Sequence, residues 1–170
     1  MADSRENGKF FRAWAIMLSM KSSIRGVEIR PLSAFSDARG WLTEIYRQDE
    51  LPAGFEPAMA YLSVTNPGIS RGPHEHVHQT DLFAFLDGDY ELHLWENRPG
   101  EPDSHEVHRV GTAMPCVVWV PPGVVHAYRN VGEKDAFVLN FPDKLYKGHG
   151  KAEPVDEIRH EDVANSRFKL

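Results

Sequence analysis

The sequence predicts a single all-β barrel domain, and three observations carry that prediction. Short runs rich in β-branched and aromatic residues recur about every ten residues between Gly, Pro, Asn and Asp. No stretch of helical length shows an apolar period of roughly 3.6 residues before the C-terminal tail. At 170 residues the chain fits one domain of ordinary size.

The expected strands follow in order. Residues 27–31 place Val27 and Ile29 alternately with charged neighbours, and 41–46 join Trp41, Thr43, Ile45 and Tyr46. Residues 58–64 contain Tyr61 and Val64. The apolar run 82–86 and the alternating run 90–95 flank Asp87-Gly88, which reads as a two-residue hairpin turn because a primed turn needs positive φ. After the turn-rich loop from Arg98 to Asp103 come 105–110, 117–120, 126–130 and 136–141. The polar tail from Lys144 is expected to bend at Gly148-His149-Gly150, to form a short helix over 154–162 and to pack over one edge of the barrel. Residues 1–20 read as a poorly ordered N-terminal extension, and 21–170 as one domain.

Composition narrows the function. A formal net charge of −6 gives no broad footprint for nucleic acid or an anionic membrane surface. No run reaches the roughly 18 apolar residues of a spanning helix. The apolar run over 10–18 contains Arg12 and follows Asp3 and Glu6, unlike a signal peptide. The single cysteine, Cys116, excludes an intrachain disulfide and a cysteine zinc cluster and suits a cytoplasmic protein. Nine histidines are the informative surplus.

Those histidines concentrate in one segment. In an extended chain His74, His76 and His78 lie two apart and share a face, Asp81 adds a carboxylate, and His126 follows Pro121-Pro122-Gly123 further on. Two or three imidazoles plus a carboxylate suit a divalent transition metal such as Fe, Mn, Ni, Cu or Zn.

Two motifs emerge from this pattern. Gly68, His74, His76, Asp81 and Gly88 stand at the spacing of the first cupin motif, and Pro121, Gly123, His126 and Asn130 at that of the second. The chain therefore resembles a cupin, which implies a double-stranded β-helix, or jelly-roll barrel, with a short helical or irregular C-terminal tail and a metal held by His74, His76, Asp81 and His126. The acid at this position is usually Glu; Asp81 is one methylene shorter.

A closer resemblance runs from Val27 onward. Asp37-Ala38-Arg39-Gly40 followed by Glu44, and Ser63-x-Thr65-x-x-Gly68-x-x-Arg71-Gly72-x-His74, are similar to segments of the dTDP-4-dehydrorhamnose 3,5-epimerase family. That resemblance implies a homodimer acting on a sugar nucleotide, without metal. Arg39, Glu44 and Arg71 would hold the nucleotide diphosphate, Arg39 reaching the neighbouring subunit's pocket by strand exchange. His74 would be the general base, Asp156 or Asp162 its orienting acid, and His126 and Asn140 pocket residues on the substrate. Where the family has a Lys this chain has Asp81, and where it has an acid Tyr this chain has Leu139-Asn140. The expected function is thus sugar-nucleotide epimerisation or isomerisation by proton transfer beside a 4-keto group. The alternatives are a metal-dependent cupin oxygenase, isomerase or lyase, and a non-catalytic sugar-binding barrel.

Overall fold

The computed structural model describes residues 21–170, so the extension expected over residues 1–20 lies outside the described residues. Twelve strands are formed among those described: β1 (Glu28–Pro31), β2 (Phe35–Asp37), β3 (Gly40–Leu42), β4 (Tyr61–Thr65), β5 (Ser70–Glu75), β6 (Asp81–Phe85), β7 (Asp89–Glu96), β8 (His105–Gly111), β9 (Cys116–Val120), β10 (Val124–Asn130), β11 (Ala136–Asn140) and β12 (Ile158–Arg159). Two five-stranded sheets, ordered β1-β9-β6-β11-β4 and β12-β5-β10-β7-β8, build the barrel, and β2 with β3 makes a separate two-stranded ribbon. Every pairing is antiparallel. This is the expected jelly roll.

The expected hairpin at Asp87-Gly88 is not formed. β6 pairs with β9 and β11, whereas β7 pairs with β8 and β10, so the chain crosses there from one sheet to the other. Gly88 has φ +71°, but Asp87 is not in the positive-φ region, so the turn lacks the paired geometry of a primed hairpin. Burial supplies the stronger reason. All five residues of β6 are buried, and a strand covered on both faces belongs inside a sheet with neighbours on both edges.

Gly88 is nevertheless irreplaceable at the crossing. A Cβ there would lie 2.3 Å from Ala136 Cβ, in a backbone region that L residues rarely adopt. Gly88→Ala is expected to destabilise the protein by about 2–4 kcal/mol, combining left-handed strain with overpacking. Urea unfolding would measure this, and an unchanged midpoint would contradict it.

Other local expectations are revised. The run 41–46 forms a strand only as β3, Gly40–Leu42. Residues 154–162 form no helix; they carry the short strand β12, which pairs with β5 and so covers a barrel edge as expected. β5 was absent from the expected set because Gly72-Pro73 reads as a turn.

Three apolar clusters hold the layers. Phe83, Phe85, Tyr90, Leu92, Leu94, Val118, Tyr128 and Val138 form the core between the sheets. Leu82, Ala84, Val117 and Trp119, facing away from that core, are covered by Phe55 and partly buried Leu32, Ile45 and Leu51. Val125, Ala127 and Trp95 lie under Phe168 of the tail. The histidines gather against the inner core, where the His126 ring centroid lies 5.4 Å from that of Phe83.

Candidate active site

The histidines are positioned by β5 and β10. His126 stands opposite His74 in the register, but Tyr128 stands opposite Arg71, so β5 advances by three residues while β10 advances by two. An irregularity of this kind re-aims side chains and brings both Arg71 and His74 opposite inward-facing residues of β10. Beyond β5 the chain turns around Asp156. Its carboxylate accepts hydrogen bonds from the backbone N–H of Val77, His78 and Gln79 at 2.9, 2.8 and 2.9 Å.

That turn separates the histidines expected to share a face. His78 is exposed, while His74, His76 and His126 offer nitrogens that all lie within 4.8 Å of one another. The His74 and His126 rings are 4.4 Å apart at their centroids. His76 Nδ1 bonds to the carbonyl of Asp156, and His126 Nδ1 to the carbonyl of Val124 at 3.1 Å. A carbonyl only accepts, so both Nδ1 atoms carry hydrogen and the Nε2 atoms are turned inward.

Asp81, one methylene shorter than the usual acid, still reaches the cluster. Its Oδ2 lies 3.1 Å from His76 Nε2 and 3.4 Å from His126 Nε2. Its Oδ1 accepts from Gln79 Nε2 at 3.0 Å and Asn140 Nδ2 at 2.8 Å. Burial raises the carboxyl pKa, but the facing His126 and His76 outweigh it and hold Asp81 ionised. Burial lowers the His76 pKa, yet Asp81 and then Asp156 raise it to about 9. His74 is the opposite case. Burial and the neighbouring His126 and His76 lower its pKa to about 2, so it is a neutral imidazole with a free lone pair.

The remaining expected residues are placed as follows. Asp162 is exposed and makes no contact with His74 among the described residues, and the Asp156 carboxylate is spent on the 77–79 turn. The acid nearest His74 is instead Glu157, with Oε1 3.9 Å from His74 Nδ1. Helical spacing would have been the wrong guide here, because β12 pairing sets the direction of this segment. Arg71 lies at the rim, bonded to Thr65 Oγ1 at 3.1 Å and to the Val64 carbonyl at 2.7 Å. Arg39 is exposed and pairs with Asp37 at 2.5 Å, and Glu44 lies 3.4 Å from Arg47, both in the region of the ribbon and away from the histidines. Asn140 is buried and joins Asp81 to the hydroxyl of Tyr61 at 2.7 Å.

Sequence reasoning missed Glu157, Gln79 and Tyr61. Gln79 could have been found by its period-two spacing from Asp81. Tyr61 could not, since only the β4–β11 register sets it opposite Asn140.

Comparison with known proteins agrees with this architecture. Residues 35–152 match the family model described as the polysaccharide biosynthesis C-terminal domain. The chain belongs to that family. Two relatives are similar to this chain over most of their length. One is named "Probable low-salt glycan biosynthesis epimerase Agl13", from Haloferax volcanii, 30% identical over 73% of this chain and 81% of that protein. The other is the spore coat polysaccharide biosynthesis protein SpsL of Bacillus subtilis, 32% identical over 72% of this chain and 82% of that protein. A solved dTDP sugar isomerase from Desulfovibrio desulfuricans G20 superposes with a TM-score of 0.72 at 21% identity, covering 85% of this chain and 90% of that one. At that identity the likeness establishes the fold, a cupin jelly roll shared with dTDP-sugar enzymes. No helix among the described residues is long and apolar enough to cross a membrane.

Proposed function

We propose that this member of the polysaccharide biosynthesis family is a sugar-nucleotide epimerase or isomerase that moves a proton beside a 4-keto group, with a dTDP-4-keto-6-deoxyhexose as substrate. One observation carries the reading: His74 stands in a cluster with His76 and His126 and has an acid, Glu157, 3.9 Å from its Nδ1. The names of the relatives support the same chemistry, one being called an epimerase of glycan biosynthesis and one solved neighbour a dTDP sugar isomerase.

In the first step a C–H bond next to the ketone breaks. The proton passes to His74, and the electron pair moves toward the ketone oxygen as an enolate. Stabilising that oxygen needs positive charge where the resembled family has a Lys. The His76–Asp81 pair is the polar group at that place, with His76 Nδ1 bonded to the Asp156 carbonyl and Nε2 3.1 Å from Asp81 Oδ2. Arg71 at the rim would bind the diphosphate with the guanidinium N–H groups that Thr65 and Val64 leave free. Arg39 and Glu44, remote from the histidines of their own chain, would serve a neighbouring subunit's pocket in a homodimer.

The test is proton NMR in deuterium oxide with dTDP-4-keto-6-deoxyglucose. Deuterium entering beside the ketone, together with a new epimer or isomer, is the expected result. Binding of dTDP without any exchange would replace this reading with a non-catalytic barrel.

A second reading is favoured by the same cluster. Two Nε2 atoms face a carboxylate oxygen, and neither His126 Nε2 nor Asp81 Oδ2 has an aligned hydrogen-bond partner among the described residues. Such a donor set fits a divalent transition metal, held by His76, His126 and Asp81 with His74 as a fourth ligand. The metal would act there as a Lewis acid polarising the ketone oxygen. Elemental analysis of untagged protein is expected, on this reading, to find about one metal per chain, lost in His76→Ala. Failure to bind iron, manganese, nickel, copper or zinc on reconstitution would remove it.

A further inference from the structure

An epimerisation needs a second proton-transfer group, because the carbon that loses its proton to a base on one face must regain one on the other. Where the resembled family has its Tyr this chain has Leu139-Asn140, so an epimerisation here needs a different donor. Three hydroxyl side chains lie on β4 or against it: Ser63 and Tyr61 on the strand itself, and Tyr128 of β10, which touches Ser63. Ser63 and Tyr128 are engaged with each other, Ser63 Oγ and Tyr128 OH lying 2.9 Å apart, and Tyr128 is buried.

Tyr61 is different in three respects. The residue is 45% exposed, against 4% for Tyr128, while its hydroxyl is turned inward onto the buried Asn140. Its oxygen accepts a hydrogen bond from Asn140 Nδ2 at 2.7 Å, and among the described residues no acceptor takes the phenolic hydrogen, which is therefore free to be donated. The same Asn140 nitrogen bonds to Asp81 Oδ1 at 2.8 Å, which ties Tyr61 to the histidine cluster. Position in the fold completes the case. Tyr61 and Asn140 are directly paired residues of β4 and β11 in one sheet, whereas His74 lies on β5 in the other. The two groups thus approach the space between the sheets from opposite sides.

We propose that Tyr61 is the proton donor of this site, delivering its phenolic hydrogen to the face of the substrate carbon opposite His74. This inference rests on the epimerase reading above. The O–H bond breaks as the new C–H bond forms and the enolate electron pair returns to carbon. Asn140 then donates its hydrogen bond to a phenolate, solvent reprotonates Tyr61, and the proton taken by His74 returns to solvent, so that nothing is oxidised or reduced. Burial raises the phenol pKa, which keeps Tyr61 in the donating form at neutral pH.

The experiment compares wild-type protein, Tyr61→Phe and His74→Asn with dTDP-4-keto-6-deoxyglucose in deuterium oxide, reading deuterium incorporation and epimer formation separately. In Tyr61→Phe, His74 still removes a proton and returns deuterium to the same face. Exchange is expected to persist while epimer formation falls about 100-fold or more. Persisting exchange also certifies that the variant is folded and binds substrate. Wild-type rates of epimer formation in Tyr61→Phe would overturn the assignment and leave the epimerase reading intact, as would loss of exchange and epimer together. Absence of both signals in the wild type would overturn the epimerase reading itself and this inference with it.

Discussion

His74→Asn is expected to lower both deuterium exchange and epimer formation by about 10²–10⁴-fold, the range for loss of a general base. Asparagine keeps a polar group of similar reach but has no lone pair of comparable basicity. His74 carries little structural burden: the one ionisable partner on its Nδ1 side, Glu157, is 3.9 Å away, too far for a direct hydrogen bond. The thermal midpoint should therefore change little while activity collapses. Turnover within a few-fold of wild type would show that the proton leaves by another route. A companion variant, Glu157→Gln, separates base from positioning group. It is expected to reduce turnover less than His74→Asn and to move the pH profile, because the carboxylate beside Nδ1 favours the protonated imidazole formed after proton abstraction.

The second large effect is on stability. Asp81→Ala is expected to cost about 3–5 kcal/mol, the usual penalty for removing one member of a buried charged pair. Asp81 is 1% exposed. Its loss would leave the amides of Gln79 and Asn140 and the inward nitrogen of His76 without their acceptor. For a protein of this size that corresponds to a fall in Tm of about 6–20 °C by calorimetry. Asp81→Asn keeps an acceptor oxygen and removes the charge, so its midpoint should fall between those of wild type and Asp81→Ala. An Asp81→Ala protein as stable as wild type would mean that the cluster is held by its surrounding backbone and not by this carboxylate. The two predictions differ in kind, since the first removes a proposed proton acceptor and the second a buried carboxylate that holds Gln79 and Asn140.

How much of this could be read beforehand follows from which interactions are local in the chain. The spacing of His74, His76 and Asp81 put them in one neighbourhood, and the second motif added His126; all four do converge. His78 left the group because the Asp156 carboxylate draws three consecutive N–H groups into a turn, a contact between residues 78 apart for His78 itself. β5 was hidden by Gly72-Pro73. Pro73 has no N–H to give, yet its carbonyl accepts from the backbone of His160 and Glu161, so the strand survives by pairing with a tail segment that the sequence marks as helix or loop. The Asp87-Gly88 turn was legible as a turn but not as a crossing between sheets, since turn chemistry does not say which strands will pair.

By itself the amino-acid sequence determined the all-β class, the grouping of His74, His76, Asp81 and His126, and the family resemblance. These depend on composition, on a period of two and on fixed spacings along the chain, which folding does not alter. Only the tertiary structure decided that Glu157 and not Asp162 stands by His74, that Asp156 shapes a turn, and that Tyr61 lies beside Asn140. Each of these depends on a contact across sheets or strands, Tyr61 and Asn140 being 79 residues apart. Pairing at that distance is set by which buried faces and ladder hydrogen bonds are satisfied together in the closed barrel, a condition no local pattern contains.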